Sequence, residues 1–243
     1  MSLTSSEWLQ RLPRTAVVDR VGFLVEQARG RRVLHVGYVD DRLLQERLDK
    51  GEWLHSHLAA VASSIVGLDI AAAGVQHARS LGYKGYVADA QDGDVIAALR
   101  LAPFDVVIAG EVIEHLDAPG PFFSAMRQTV VSDGALVLTT PNPYRPLNSL
   151  VALAGRELIH PDHTSWQSPH TLRTLAERRG WSVLETRCYH QPSVSADPGR
   201  PLRDRLLIGA AGTVRRFSGG IARWAPWWSD GFIVVCGVRD PAE

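Results

Sequence analysis

Apolar residues recur along the chain in two alternating patterns. Short, nearly unbroken apolar runs of strand length alternate with stretches in which apolar positions return every three to four residues, the spacing of one helix face. Arg32–Val36, Ser64–Leu68, Gly85–Ala88, Phe104–Ala109, Ala135–Thr140, Trp181–Tyr189 and Phe232–Val238 read as strands, with Phe104–Ala109 the strongest. Helical spacing runs over Val17–Arg29, Asp41–Lys50, Glu52–Ala62, Ala71–Ser80, Asp94–Arg100, Pro121–Val131 and Leu172–Arg179. Several of these stretches stop at a glycine (Gly30, Gly51, Gly82, Gly180), the residue that most readily takes the left-handed backbone closing a helix. Strands alternating with helices predict an α/β fold: a doubly wound, seven-stranded, mostly parallel sheet whose continuous apolar strands are buried on both faces. Two long connections break the alternation, 142–169 and 191–230. The second is predicted to be a cap inserted before the last strand of a single domain spanning 1–243, with 1–30 as an N-terminal helical segment.

Composition narrows the class. The 243 residues are 45% hydrophobic and 21% charged, which excludes a disordered chain, a coiled coil and a collagen-like fibre. Lys plus Arg (26) balances Asp plus Glu (26), which argues against a dedicated nucleic-acid binder. The balance is uneven: Arg200, Arg203, Arg205, Arg215, Arg216 and Arg223 face the single acid Asp204 across 200–228, beside Trp224, Trp227 and Trp228. The preferred expectation is a cap over a substrate pocket. The alternative is peripheral contact with an anionic membrane, which Gly209, Gly212, Gly219 and Gly220 weaken by interrupting any long helix. Cys188 and Cys236 are too few for a disulfide framework and are expected as buried free thiols. With no secretory h-region and no apolar run of membrane-spanning length, the expected location is the cytoplasm.

In open α/β sheets ligands bind beyond the carboxyl ends of the strands. Here those ends carry Gly37, Asp69, Asp89 with Ala90, Glu111, and Pro141-Asn142. Asp69 can accept two hydrogen bonds from a ribose diol, and Asp89 the exocyclic amine of an adenine. Either acid alone reads as a helix cap or turn residue; the ordered pair favours a nucleoside ligand.

These residues, with their flanks, resemble class I S-adenosylmethionine-dependent methyltransferases. VLHVG (33–37) stands at the first nucleotide-binding motif, GLDI (67–70) at the ribose acid and ADA (88–90) at the adenine acid. FDVVIAGEVIEHL (104–116) matches the fourth-strand motif and GALVLTTPN (134–142) the fifth strand with its exit. The resemblance implies a Rossmann-like methyltransferase fold and S-adenosylmethionine as cofactor, held by Gly37, Tyr38, Asp69, Ile70, Asp89, Ala90 and Glu111. One departure stands out: of the family's glycine-rich turn only Gly37 survives, and His35 replaces its acid. Contacts to the methionine end must therefore be rearranged or weakened, because glycine is what lets a backbone approach a ligand closely. The same missing glycines count against a nicotinamide dehydrogenase.

A second group is Glu111, Glu114 and His115, which share one face if the chain is helical from Gly110 onward. Together with Thr140-Pro141-Asn142 and His160-Pro161-Asp162-His163, it resembles two branches of the family: ubiquinone-biosynthesis O-methyltransferases and small-RNA 2′-O-methyltransferases. The RNA branch implies a divalent cation, Mg²⁺ or Mn²⁺, on Glu111, Glu114, His115 and His163. The preferred expectation has no metal: Glu111 lines the cofactor pocket, Glu114 faces solvent and His115 acts as general base, with Glu114 beside it. His55, His57, His77, His170 and His190 are expected at the surface or in packing. The function expected is O-methylation of a small molecule (a sugar, a glycoconjugate or a natural-product phenol). The alternatives are a non-catalytic methyltransferase-like binding module and a metal-assisted 2′-O-methyltransferase acting on RNA.

Overall fold

The computed structural model describes residues 8–39, 43–191, 212–214, 219–222 and 224–239. Side chains alternate across each strand and so build two helix-covered layers. From β2 (Arg32–Val36), Val33 points to the layer of Leu24 and Leu58, while Leu34 and Val36 point to the opposite layer. Leu24 belongs to α1 (Arg20–Ala28) and Leu58 to α3 (Leu54–Ala59). In β5 (Phe104–Gly110), Val106 and Ile108 join that layer, and Val107 and Ala109 the other. The second layer is covered by α5 (Gly93–Ala98), α6 (Pro119–Arg127) and α8 (Pro169–Glu177), which bury Ile96, Phe122, Phe123, Met126 and Leu172.

The remaining strands are β1 (Val17–Val18), β3 (Ser64–Asp69), β4 (Gly85–Val87), β6 (Val130–Pro141), β7 (Trp181–Tyr189) and β8 (Gly231–Val238). Helices α2 (Leu44–Lys50), α4 (Ala72–Ser80) and α7 (Pro146–Leu153) complete the regular elements used below. The sheet order is β4-β3-β2-β5-β6-β8-β7-β1. All pairs are parallel except those of β8, which is antiparallel to β6 and β7.

The sheet therefore has eight strands among the described residues rather than seven. The addition is β1, which pairs with Cys188 and Tyr189 at the edge. The helix expected from Val17 starts at Arg20 instead, because Asp19 caps it by accepting the Gly22 N–H at 2.7 Å. The two β-branched valines before the cap go to the sheet, and residues 9–16 are irregular. Likewise α6 begins with Pro119 in its first turn and ends at Arg127, leaving Val130 and Val131 to β6.

Antiparallel pairing of Pro141 with Gly231 brings the residues before β8 to the same edge as the exit of β6. Asn142 Nδ2 donates to the carbonyls of Trp227 (2.7 Å) and Ser229 (2.9 Å), and Trp227 Nε1 donates to Pro13 O (3.0 Å). Most of the predicted cap, including its six arginines, lies outside the described residues. Cys188 and Cys236 are free and buried. Among the described residues no helix is long and apolar enough to cross a membrane.

Candidate active site

The parallel strands end side by side in the order β4, β3, β2, β5, β6, so Asp89, Asp69, Gly37, Glu111 and Pro141 follow one another along one edge. The winding reverses between β2 and β5, which opens the ligand crevice of such folds at Gly37 and Glu111. Gly37 takes φ +67° and packs so tightly that an added Cβ would meet Val112 Cγ2 at 2.4 Å. Only glycine serves there.

On the β3 side, the Asp69 carboxylate accepts the backbone N–H of Val39 and that of Ala71, each at 3.0 Å, which fixes its orientation across two strand exits. Ile70 beside it is 72% exposed. Asp89 is exposed and accepts from Gln91 N at 2.9 Å, while Gln91 Oε1 accepts the Ala118 N–H at 2.7 Å and ties the β4 exit to the loop after β5. Ala90 is buried.

Tyr38 does not present its side chain to the crevice. Its ring is buried over the glycines Gly67 and Gly85, within 6.5 Å of the His35, Trp53 and His55 rings. Trp53 Nε1 donates to Tyr38 O at 2.7 Å. His55, expected at the surface or in packing, is fully buried and faces His35 Nδ1 to Nδ1 at 3.1 Å.

On the β5 side, the chain does not continue as an α-helix from Gly110. Glu111 takes φ +57° and a 3₁₀ turn (Ile113–His115) follows, so the three acidic and imidazole side chains diverge. Glu111 Oε1 accepts from Tyr189 OH and from Thr139 Oγ1 (3.0 Å), and Oε2 from Gln191 Nε2 (2.9 Å). Glu114 points inward rather than to solvent and is 2% exposed. Its Oε2 accepts from Thr140 Oγ1 at 3.0 Å, while Oε1 has no partner among the described residues. Burial, and then the nearby Glu111 carboxylate, push its pKa up to about 8, against the hydrogen bonds and Arg20.

His115 is exposed at the lip. Its Nδ1 lies 3.2 Å from Asp162 O, and since a carbonyl can only accept, Nδ1 carries the proton and Nε2 is the free base. Thr164 closes the second wall: its N–H and hydroxyl both donate to Glu114 O (2.9 and 3.1 Å). This brings His163 edge-on to His115 with ring centroids 4.6 Å apart. His163 Nδ1 is buried without a partner among the described residues, and burial followed by His115 lowers its pKa. Ligand atoms of Glu114, His115 and His163 lie within 4.8 Å of one another. Glu111, fourth of the expected cation ligands, is not in this group.

The sequence profile of a methyltransferase-domain family matches residues 7–186. The chain belongs to that family. No curated protein matches it significantly. Solved structures share the fold at low identity. A methyltransferase from Archaeoglobus fulgidus, titled S-adenosylmethionine-dependent, is 17% identical with TM-score 0.55, over 90% of this chain and 91% of its own. A magnesium protoporphyrin IX methyltransferase from Synechocystis, solved with S-adenosylhomocysteine bound, is 16% identical with TM-score 0.52, over 90% and 80%.

Several residues of this methyltransferase's crevice escape sequence reasoning. Arg20, Thr139, Thr140, Thr164 and Tyr189 reach it from distant positions. Of these, Thr139 and Thr140 stand inside a motif already quoted, and their place at a strand exit is the available signal.

Proposed function

We propose that this methyltransferase transfers the methyl group of S-adenosylmethionine to a hydroxyl of a small molecule, a sugar, glycoconjugate or phenol. The observation that carries the reading is the arrangement of His115: its Nδ1–H is tied to Asp162 O, which leaves Nε2 as the acceptor nitrogen. Asp69 and Asp89 stand across the crevice as acceptors for a ribose diol and an adenine amine, with exposed Ile70 as an apolar wall for the base ring. When bound, S-adenosylmethionine supplies an electrophilic methyl on a sulfonium, so the protein has to align the acceptor and take its proton. Nε2 of His115 would take the proton of the acceptor hydroxyl. Incubation with labelled methyl donor and a panel of hydroxylated acceptors tests this; label transferred only to amines or carbons overturns it.

A second reading is favoured by the two orphaned atoms, Glu114 Oε1 and His163 Nδ1. With His115 they offer one carboxylate oxygen and two imidazole nitrogens, a set that suits Mn²⁺ or Mg²⁺ with positions open to substrate oxygens. There a cation would polarise the acceptor hydroxyl and His115 would serve as ligand, not base. Turnover that persists undiminished in excess chelator eliminates it.

A further inference from the structure

Apolar side chains of the kind a fold buries elsewhere stand uncovered around the exit of β6. In α7 no residue is buried, although it carries Leu147, Leu150, Val151 and Leu153, the last of them 86% exposed. The chain reaches α7 through Tyr144, which packs edge-on against Trp227 with ring centroids 6.3 Å apart. Tyr144 also shares a shallow groove with Trp8 and Leu12. Two hydrogen bonds hold that N-terminal segment in place: Trp227 Nε1 donates to Pro13 O, and His170 Nε2 to Arg11 O at 3.1 Å. Beside Trp227, Trp224 (83% exposed) and Trp228 extend the patch. A contiguous exposed apolar patch marks an interaction surface.

We infer that this patch docks on the surface of an anionic lipid bilayer. Three segments build it, 8–16, 142–156 and 224–229, and together they hold Arg11, Arg14, Arg145 and Arg156 but no aspartate or glutamate. Arg145 is turned inward to Asp230 at 3.5 Å, whereas Arg11, Arg14 and Arg156 are exposed. The acid that follows, Glu157, accepts from Trp166 Nε1 at 3.1 Å. Four of the seven tryptophans fall in these segments, and tryptophan is the side chain that settles where headgroups meet acyl chains. Apolar side chains flanked by arginines without acids are the complement of negatively charged headgroups. A second copy of the chain fits less well, because it would set the same arginines against one another.

The surface does not depend on the arginine-rich stretch 200–223. Nor does it need a long helix, since α7, the N-terminal segment and the 3₁₀ turn Pro226–Trp228 each contribute a few side chains. It adjoins the crevice, because α7 follows closely on the β6 exit, where Pro141 stands in the row of strand ends. Docking there goes beyond the methyl transfer proposed above and does not rest on it.

Co-sedimentation of the full chain with vesicles tests the inference. Phosphatidylcholine vesicles containing phosphatidylglycerol should carry the protein down, pure phosphatidylcholine should not, and raised salt should release it. Leu150→Glu with Leu153→Glu should weaken binding about tenfold or more, because two leucines that leave water on docking are lost. Arg11→Glu with Arg156→Glu should weaken it similarly. Leu184→Glu is the control and should bind like the wild type. That side chain is also largely exposed, but it lies over Gly237, which pairs with Ala135, far from the β6 exit. Melting temperatures report whether the variants fold; should the leucine pair fail to, Trp224→Ser and the arginine pair decide. No sedimentation with anionic vesicles, equal sedimentation with both kinds, or leucine and arginine pairs that bind like the wild type overturns the inference. Self-association that the leucine pair abolishes, without vesicle binding, assigns the patch to a second copy and overturns it as well.

Discussion

His35 and His55 meet Nδ1 to Nδ1 at 3.1 Å, both buried, with their rings 10° from parallel. One nitrogen must donate and the other accept, so at least one ring is neutral at that atom. Burial lowers the His55 pKa to about 4, and burial followed by His55 and Arg20 drives His35 well below its usual value. A histidine pair thus occupies the place where the family's acid would stand.

That pair sets a pH dependence. Both folded-state values lie below the unfolded value of about 6.5, so on acidification the unfolded chain takes up protons first and gains stability relative to the fold. The contribution of the pair is complete above about pH 6.5 and declines as pH falls toward about 4. Melting temperatures measured from pH 7 to pH 4 should fall less steeply in His55→Phe than in the wild type. Parallel slopes would remove the pair as a cause.

The sequence exposes what is local and hides what is assembled. Strand exits at Asp69, Asp89 and Glu111 are legible because an apolar run followed by an acid needs no partner to be recognised. Burial of Glu114 is not legible, since it depends on Thr140 and on Thr164, which lies fifty positions downstream. The His35–His55 contact likewise joins a strand to a helix twenty positions away that would otherwise offer two ordinary histidines. The left-handed turn at Glu111 defeats the helical spacing that groups it with His115, because propensity gives no warning of a strained acid.

On the proposed cofactor reading Asp69 does two things, and its loss should show both. Asp69→Ala should cost about 2–3 kcal/mol of S-adenosylhomocysteine affinity through the missing ribose contact. It should also lower the melting temperature of the free protein, because the Val39 and Ala71 N–H groups lose their acceptor. Asp69→Asn keeps one acceptor oxygen and should lose less of both. An Asp69→Ala protein with wild-type affinity would sink the ribose assignment.

If the Glu114, His115 and His163 cluster takes a cation, the cation stabilises the fold by mass action. At a concentration a hundredfold above its dissociation constant, Mn²⁺ should add about 2.7 kcal/mol, or about 5–10 °C in melting temperature for a domain of this size. Glu114→Gln and His163→Ala should abolish that rise. Glu114→Gln should raise the metal-free melting temperature at pH 7, since burial holds Glu114 protonated in the fold while the unfolded chain ionises it, a cost that Gln does not carry. An equal Mn²⁺-induced rise in wild type and both variants would place the metal elsewhere.

On the proposed base role, His115 would separate binding from chemistry. It is exposed at the lip, and its ring packs on His163 and hydrogen-bonds to Asp162 O rather than to any of the strand-exit acids. His115→Ala should therefore leave S-adenosylhomocysteine affinity within about twofold while turnover falls about 10²–10⁴-fold, the range of a lost general base. Under the cation reading, His115→Ala weakens the metal as well, and added Mn²⁺ restores part of the rate. Rescue by metal would thus mark His115 as ligand, whereas a loss that no metal repairs, with cofactor affinity intact, would mark it as the base.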